Sequence, residues 1–244
     1  MTQYPSMPQA GAARAEVVNA FMRGVYGWMS AGLGLTALIS FATLTVPALT
    51  NLAFVYNAQT GQYAPTMLPM IALFAAFGMV FFMSFKISTM NPSTATGLFL
   101  AFSALNGFSL APILYAYTTA SVVSTFVTTA GMFGAMSLYG LLTKKDLTGW
   151  GSLLFMGLIG IIIAMVVNMF LQSPGMSFAI SVIGVIIFVG LTAYDTQKLK
   201  TMGETVPMGD TAAIRRGTIL GALTLYLDFY NLFLMLLRLM GDRR

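Results

Sequence analysis

Gly217–Met240 reads GTILGALTLYLDFYNLFLMLLRLM. The run is longer than the roughly 20 residues needed to cross a bilayer, and it carries one acid near its middle, Asp228. Upstream, Ile186–Lys200 reads IIFVGLTAYDTQKLK, an apolar run that ends on a second acid, Asp195. A carboxylate at the centre of a lipid-embedded helix costs about 2.5–3.5 kcal/mol on insertion scales. A chain that carries two such residues turns them toward its own interior. They constrain the fold and are the first candidates for function.

Outward from these two segments, the composition excludes a soluble domain. Of 244 residues 57% are hydrophobic and 8% charged, against roughly 25% charged in soluble domains. Twelve basic and seven acidic residues cannot clothe the surface of a chain this long in water. There is no cysteine and no histidine. Disulfides, thiolate metal sites, HExxH metalloproteases and histidine acid–base chemistry are therefore excluded. No resident cofactor is expected. The net charge of +5 comes from loops and tails rather than one basic face. It fits a membrane topology and gives no support to nucleic-acid binding.

Seven runs of bilayer length are present: Val25–Val46, Met67–Phe85, Thr94–Tyr117, Val122–Leu142, Gly151–Leu171, Ser177–Tyr194 and Gly217–Met240. Residues 1–23 lack a compact apolar region with a cleavage site and read as a cytosolic tail, leaving 24–244 as one transmembrane domain. Lys and Arg cluster at Arg14 and Arg23, Lys86, Lys144 and Lys145, and Lys198 to Arg216, whereas Pro47–Thr66, Thr118–Ser121 and Gln172–Gly175 carry no charge. The positive-inside rule then places the N-terminus in the cytoplasm. The tail RLMGDRR disagrees, since seven spans put its three arginines outside. A re-entrant last helix would return them to the cytosol.

The pairs Gly27–Ala31 and Gly217–Gly221 have the spacing of close helix packing in lipid, and Pro112 removes one backbone bond inside the third span. Helical periodicity puts Thr224 and Asn231 on the face of Asp228, with Tyr226 and Tyr230 flanking it. It puts Thr192 and Lys198 one turn either side of Asp195. Asn106 and Ser109, Asn168 and Lys86 are further interior polar candidates. The plain reading of Asp195 is an interfacial carboxylate paired with Lys198; that of Asp228 is a protonated carboxyl holding two helices together. Taken together the acids suggest one site. Two neighbouring carboxyls do not both ionise cheaply, so they would share a proton and sense pH. Ionised, they would offer hard oxygens to Ca²⁺. Counted from its flanking charges, Asp195 is shallower than Asp228, which lies about 18 Å beyond Arg216 at 1.5 Å per residue. Pairing therefore needs a vestibule dipping into the bundle, or a last helix that begins near Thr211.

With AYDTQKLK at Ala193–Lys200, LYLDFYNLFLMLLR at Leu225–Arg238 and NGFSLAPI at Asn106–Ile113, the chain resembles the bacterial branch of the transmembrane Bax inhibitor motif family. The resemblance implies an all-α bundle of seven transmembrane helices in the inner membrane, with the C-terminal helix at the centre and six wrapped around it. It implies a pH-sensitive calcium leak whose sensor is a pair of aspartates, here Asp195 and Asp228. It also implies a basic residue from the second span engaging the pair, for which Lys86 is the match in place of an arginine. Bacterial relatives are further linked to membrane-protein quality control through a membrane protease.

Three functions compete. The first is a cation leak gated by the aspartate pair, its partners being the bilayer and calcium. The second is a non-conducting regulator that binds other membrane proteins. The third is an intramembrane aspartyl protease. Its usual Gly-x-Gly-Asp is Leu225-Tyr226-Leu227-Asp228 here, and its Pro-Ala-Leu element appears after the first span, at Pro47–Leu49. Gly107-Phe108-Ser109 lacks the histidine of a serine protease.

Overall fold

A computed structural model describes residues 7–59, 61–206 and 209–244. Its elements are α1 (Met7–Thr45), α2 (Pro47–Ala53), β1 (Phe54–Asn57), β2 (Gln62–Pro65), α3 (Leu68–Lys86), α4 (Pro92–Tyr115), α5 (Thr119–Leu142), α6 (Thr148–Leu171), α7 (Pro174–Thr205) and α8 (Thr211–Met240). Helix starts follow local chemistry. Proline occupies the first turn of α2, α3, α4 and α7, where its missing N–H would be an orphan in any case. The side chains of Asn91, Thr118, Ser173 and Asp210 accept from first-turn amides of α4, α5, α7 and α8.

Seven helices are long and apolar enough to span a membrane, α2 being the short exception. Helix α8 is the core of the bundle. In its most apolar stretch 72% of residues are buried, against 11–44% in the other spans. It packs on α1, α3, α4, α5 and α7, while α6 packs mainly on α7. The expected central helix is therefore present, with α6 joined to it through α7.

Three expected boundaries change. The stretch expected to be a tail is helical from Met7, and Val18, Phe21 and Met22 are buried. Phe21 fills the space left by Gly203 on α7 and Gly217 on α8, so apolar contact continues the first helix past its charged residues. Helix α7 runs eleven residues beyond Tyr194, and α8 begins at Thr211 behind its Asp210 cap. The uncharged 47–66 connection between the first two spans holds α2 and an antiparallel hairpin pairing Phe54 with Pro65 and Asn57 with Gln62. Phe54 is buried there against the Tyr115 ring, 5.2 Å between centroids.

The two ends of the bundle are pinned by hydrogen bonds. At one end Arg14 donates to the Val206 carbonyl (2.8 Å), Gln197 donates to that of Lys145 (2.8 Å) and Arg216 to that of Met90 (3.4 Å). At the other, the amide of Thr118 donates to the Asp242 carbonyl and that of Arg244 to the Ala116 carbonyl, each at 3.0 Å. The C-terminal tail thus lies on the uncharged α4–α5 turn, opposite the basic loops. A re-entrant α8 is excluded, because its 30 residues traverse the bundle.

Of the small-residue pairs, Gly217–Gly221 is used: a Cβ at Gly221 would meet Leu199 and Val25 at 2.9 Å. Gly27 and Ala31 lie on an exposed face instead. Helix α4 continues through Pro112, which lies within its last turn.

Candidate functional site

Asp228 is 5% exposed and its Oδ2 has no hydrogen-bond partner. Asp195 on α7 is half-buried, and the two carboxyl groups stand within side-chain hydrogen-bonding reach of each other. The depth mismatch expected from span counting disappears because both helices continue past their apolar runs. Contacts of Leu199 with Gly221 and of Met235 with Gly184 bracket the pair on either side, so α7 and α8 touch above and below the acids. On the far side of α7, a Cβ at Gly140 would collide with the Ala193 carbonyl. That glycine lets α5 close against the turn carrying Asp195.

The predicted supporting residues behave differently from one another. Lys198 is exposed, its ammonium 5.8 Å from the Tyr194 ring centroid, yet near enough for its charge to act on Asp195. Thr192, Thr224, Asn231 and Asn106 share the bundle interior or its margin, but each donates back along its own helix. Their acceptors are the carbonyls of Phe188 (2.7 Å), Leu220 (3.1 Å), Leu227 (2.8 Å) and Phe102 (3.2 Å). Such back-bonding satisfies a hydroxyl or amide within the helix and takes these donors away from the carboxyls. Lys86 ends α3 exposed, away from the buried face. At the α3–α4 turn the recorded cation contact comes from Arg216 instead. Asn168 is not interior either: it ties the α6–α7 turn, donating to Ser177 (2.7 Å) and accepting from the Ser173 amide (3.0 Å).

The structure adds partners to Tyr226, which periodicity had set beside Asp228, and shows buried polar groups that the sequence reading did not single out, Thr36, Ser137 and Thr196 among them. The Tyr226 and Thr36 hydroxyls lie 2.7 Å apart, and Thr36 also reaches the Ser103 and Gly32 carbonyls at 2.8 and 3.0 Å. Tyr226 stacks on Tyr230 and meets the edges of Phe99 and Phe102. Beside Asp195, the Thr196 hydroxyl contacts those of Ser137 (3.5 Å) and Tyr26 (3.4 Å). Ser121, Thr125 and Thr129 form a buried stripe on α5; their four-residue spacing was the signal available for them.

Chemically, the pair can hold one proton between two carboxyls, set two like charges against each other when both ionise, or offer oxygens to a hard cation. Among the described residues no cluster of three or more His, Cys, Asp or Glu is built to hold a metal. Two carboxyls by themselves supply fewer than the six to eight oxygens that Ca²⁺ takes.

Fold and site together define a seven-helix integral membrane protein with a carboxyl pair set between its last two spans. Residues 18–244 match the family described as "Inhibitor of apoptosis-promoting Bax1", and the chain belongs to that family. It is 49% identical over 238 residues to the inner membrane protein YbhL of Escherichia coli, covering 97% of this chain and 95% of that one. A protein of Caulobacter vibrioides is 45% identical over 225 residues, covering 92% and 89%. One of Deinococcus radiodurans is 37% identical over 243 residues, covering 100% and 96%.

Proposed function

We propose that this protein is a pH-sensitive cation leak of the bacterial inner membrane, with calcium as the permeant ion and Asp195 and Asp228 as sensor and gate. The observation carrying this reading is the juxtaposition of a buried Asp228 on α8 with a half-buried Asp195 on α7, one Asp228 oxygen being unpartnered. A shared proton joins the two helices through a carboxyl–carboxylate bond. Its loss sets two charges against each other in a poorly hydrated site, where repulsion is least screened. Two states of one helix pair follow, and pH selects between them. No catalytic step is assigned to the acids. The N-terminus is placed in the cytoplasm, as the basic loops favour. Partners are the bilayer, the permeant cation and other membrane proteins.

The test is calcium flux into liposomes that hold the purified protein, read across a pH series. A pH-dependent influx lost in both Asp195→Asn and Asp228→Asn supports the leak. Influx equal to that of empty liposomes at every pH rejects it, and leaves the family's membership compatible with a non-conducting regulator. Cleavage of a helical reporter abolished by the same substitutions would assign an aspartyl protease instead.

A further inference from the structure

The arginines of the C-terminal tail are not used by the leak, and they violate the charge bias of the end where they lie. Arg238 closes α8, and Arg243 follows in a tail locked to the α4–α5 turn through the Tyr117–Arg243 bridge and its flanking backbone hydrogen bonds. Both side chains are exposed. The arginine side-chain donors engaged within the described residues are Arg14, Arg216 and Arg244, which leaves the guanidinium donors of Arg238 and Arg243 available. Arg243 rests over the Tyr117 ring, 5.7 Å from its centroid. Two grooves meet at this pair. One, of about 670 Å³, runs between α6, α7 and α8 and mixes polar side chains, Asn168, Gln172 and Ser177 among them, with apolar ones such as Met169 and Phe178. The other, of about 340 Å³, runs along α4 and α8 past Ile113 and Leu234. Neither lining contains an acid. The neighbouring Asp242 is turned to Ser121, 3.3 Å from its hydroxyl.

We propose that Arg238 and Arg243 form a binding site for one anionic phospholipid, its headgroup phosphate held between the two guanidinium forks and its acyl chains laid in the two flanking grooves. The charge is complementary, and guanidinium matches phosphate oxygens in pairs. The site lies at a helix end of a spanning bundle, where lipid phosphates lie, and each groove offers apolar side chains to an acyl chain, Met169 and Phe178 in one and Ile113 and Leu234 in the other. Arginines that merely snorkel need no fixed partner; here the fold uses several backbone hydrogen bonds to hold Arg243 beside Arg238. The proposal is independent of whether the protein conducts.

Native mass spectrometry of the full-length protein in detergent tests it, with dioleoyl-phosphatidylglycerol as probe and dioleoyl-phosphatidylcholine as the neutral headgroup on the same chains. The wild type is expected to retain one phosphatidylglycerol in preference to phosphatidylcholine. Arg238→Gln and Arg243→Gln should each weaken that retention about tenfold, as loss of a charge-assisted contact does, and Arg238→Lys should fall between. Lys144→Gln/Lys145→Gln at the opposite end should leave it unchanged. Equal retention of the two lipids, or phosphatidylglycerol retention unaltered in the double glutamine variant, overturns the site. Displacement of the lipid by sn-glycerol 3-phosphate at comparable concentration overturns the lipid as occupant and makes it a soluble-anion site. Thermal unfolding in lipid-free detergent should be nearly the same for all variants, since neither guanidinium supports the fold through a hydrogen bond.

Discussion

The Tyr226 hydroxyl lies 2.7 Å from that of Thr36, tying the central helix to α1 two residues from the buried Asp228. Tyr226 is fully buried, so this bond has no water to replace it. Tyr226→Phe is expected to cost about 1 kcal/mol, the net value of one hydrogen bond. Thr36→Val strands the Tyr226 hydroxyl and should cost more, about 1–3 kcal/mol. Unfolding in detergent measures both, and the order of the two variants is the decisive result.

Asp195 and Asp228 should be energetically coupled. A double-mutant cycle with Asn at each position is expected to return an interaction of about 0.5–3 kcal/mol, because contacting groups are non-additive. Additive effects on unfolding would mean that the carboxyls do not act as one unit, and would remove the physical basis of the proposed gate.

The cation beside the pair is expected to be Lys198, not Lys86. In liposome flux, Lys198→Gln should move the midpoint of the pH response, since its charge acts on Asp195. Lys86→Gln, at an exposed helix end, should leave that midpoint in place. The opposite result would return Lys86 to the role that family resemblance suggests.

Two glycines of α5 should respond in opposite directions to alanine. At Gly140 the new methyl meets the Ala193 backbone, which cannot yield without moving α7, and overpacking of this kind costs about 1–3 kcal/mol. At Gly131 nothing lies within 4 Å, so the better helix former is neutral or stabilising by up to about 1 kcal/mol. Melting temperatures in one detergent compare them directly.

Ser121 should hold the C-terminal tail in place. Its hydroxyl accepts from the Asp242 amide (2.9 Å) and contacts the Asp242 carboxylate (3.3 Å). Ser121→Ala is expected to cost about 1 kcal/mol and to speed hydrogen exchange at the Asp242 and Arg244 amides. Unchanged exchange there would show that the tail is held by backbone pairing alone.

The spans were legible because lipid imposes a length and an apolarity on every crossing helix, and all seven expected runs lie wholly within, or within two residues of, the observed helices. The runs understated three helices. Hydropathy stops where charge begins, whereas α1, α7 and α8 continue on the strength of packing, with Phe21 between Gly203 and Gly217 as the clearest case. The candidate site was half legible. Two acids in apolar runs announce themselves by their insertion cost, but a donor such as Thr224 can equally face a carboxyl or its own helix carbonyl. Periodicity cannot tell those apart.

By itself the sequence determined the solvent, the number of crossings and the two costly charges, because each follows from composition and order along one dimension. The pairing of those charges was decided only by tertiary structure. It depends on how far α7 and α8 extend, on the glycines that let them and α5 close together, and on which polar groups turn back on their own helices. Those are distances between residues far apart in the chain, set by packing that no single segment encodes.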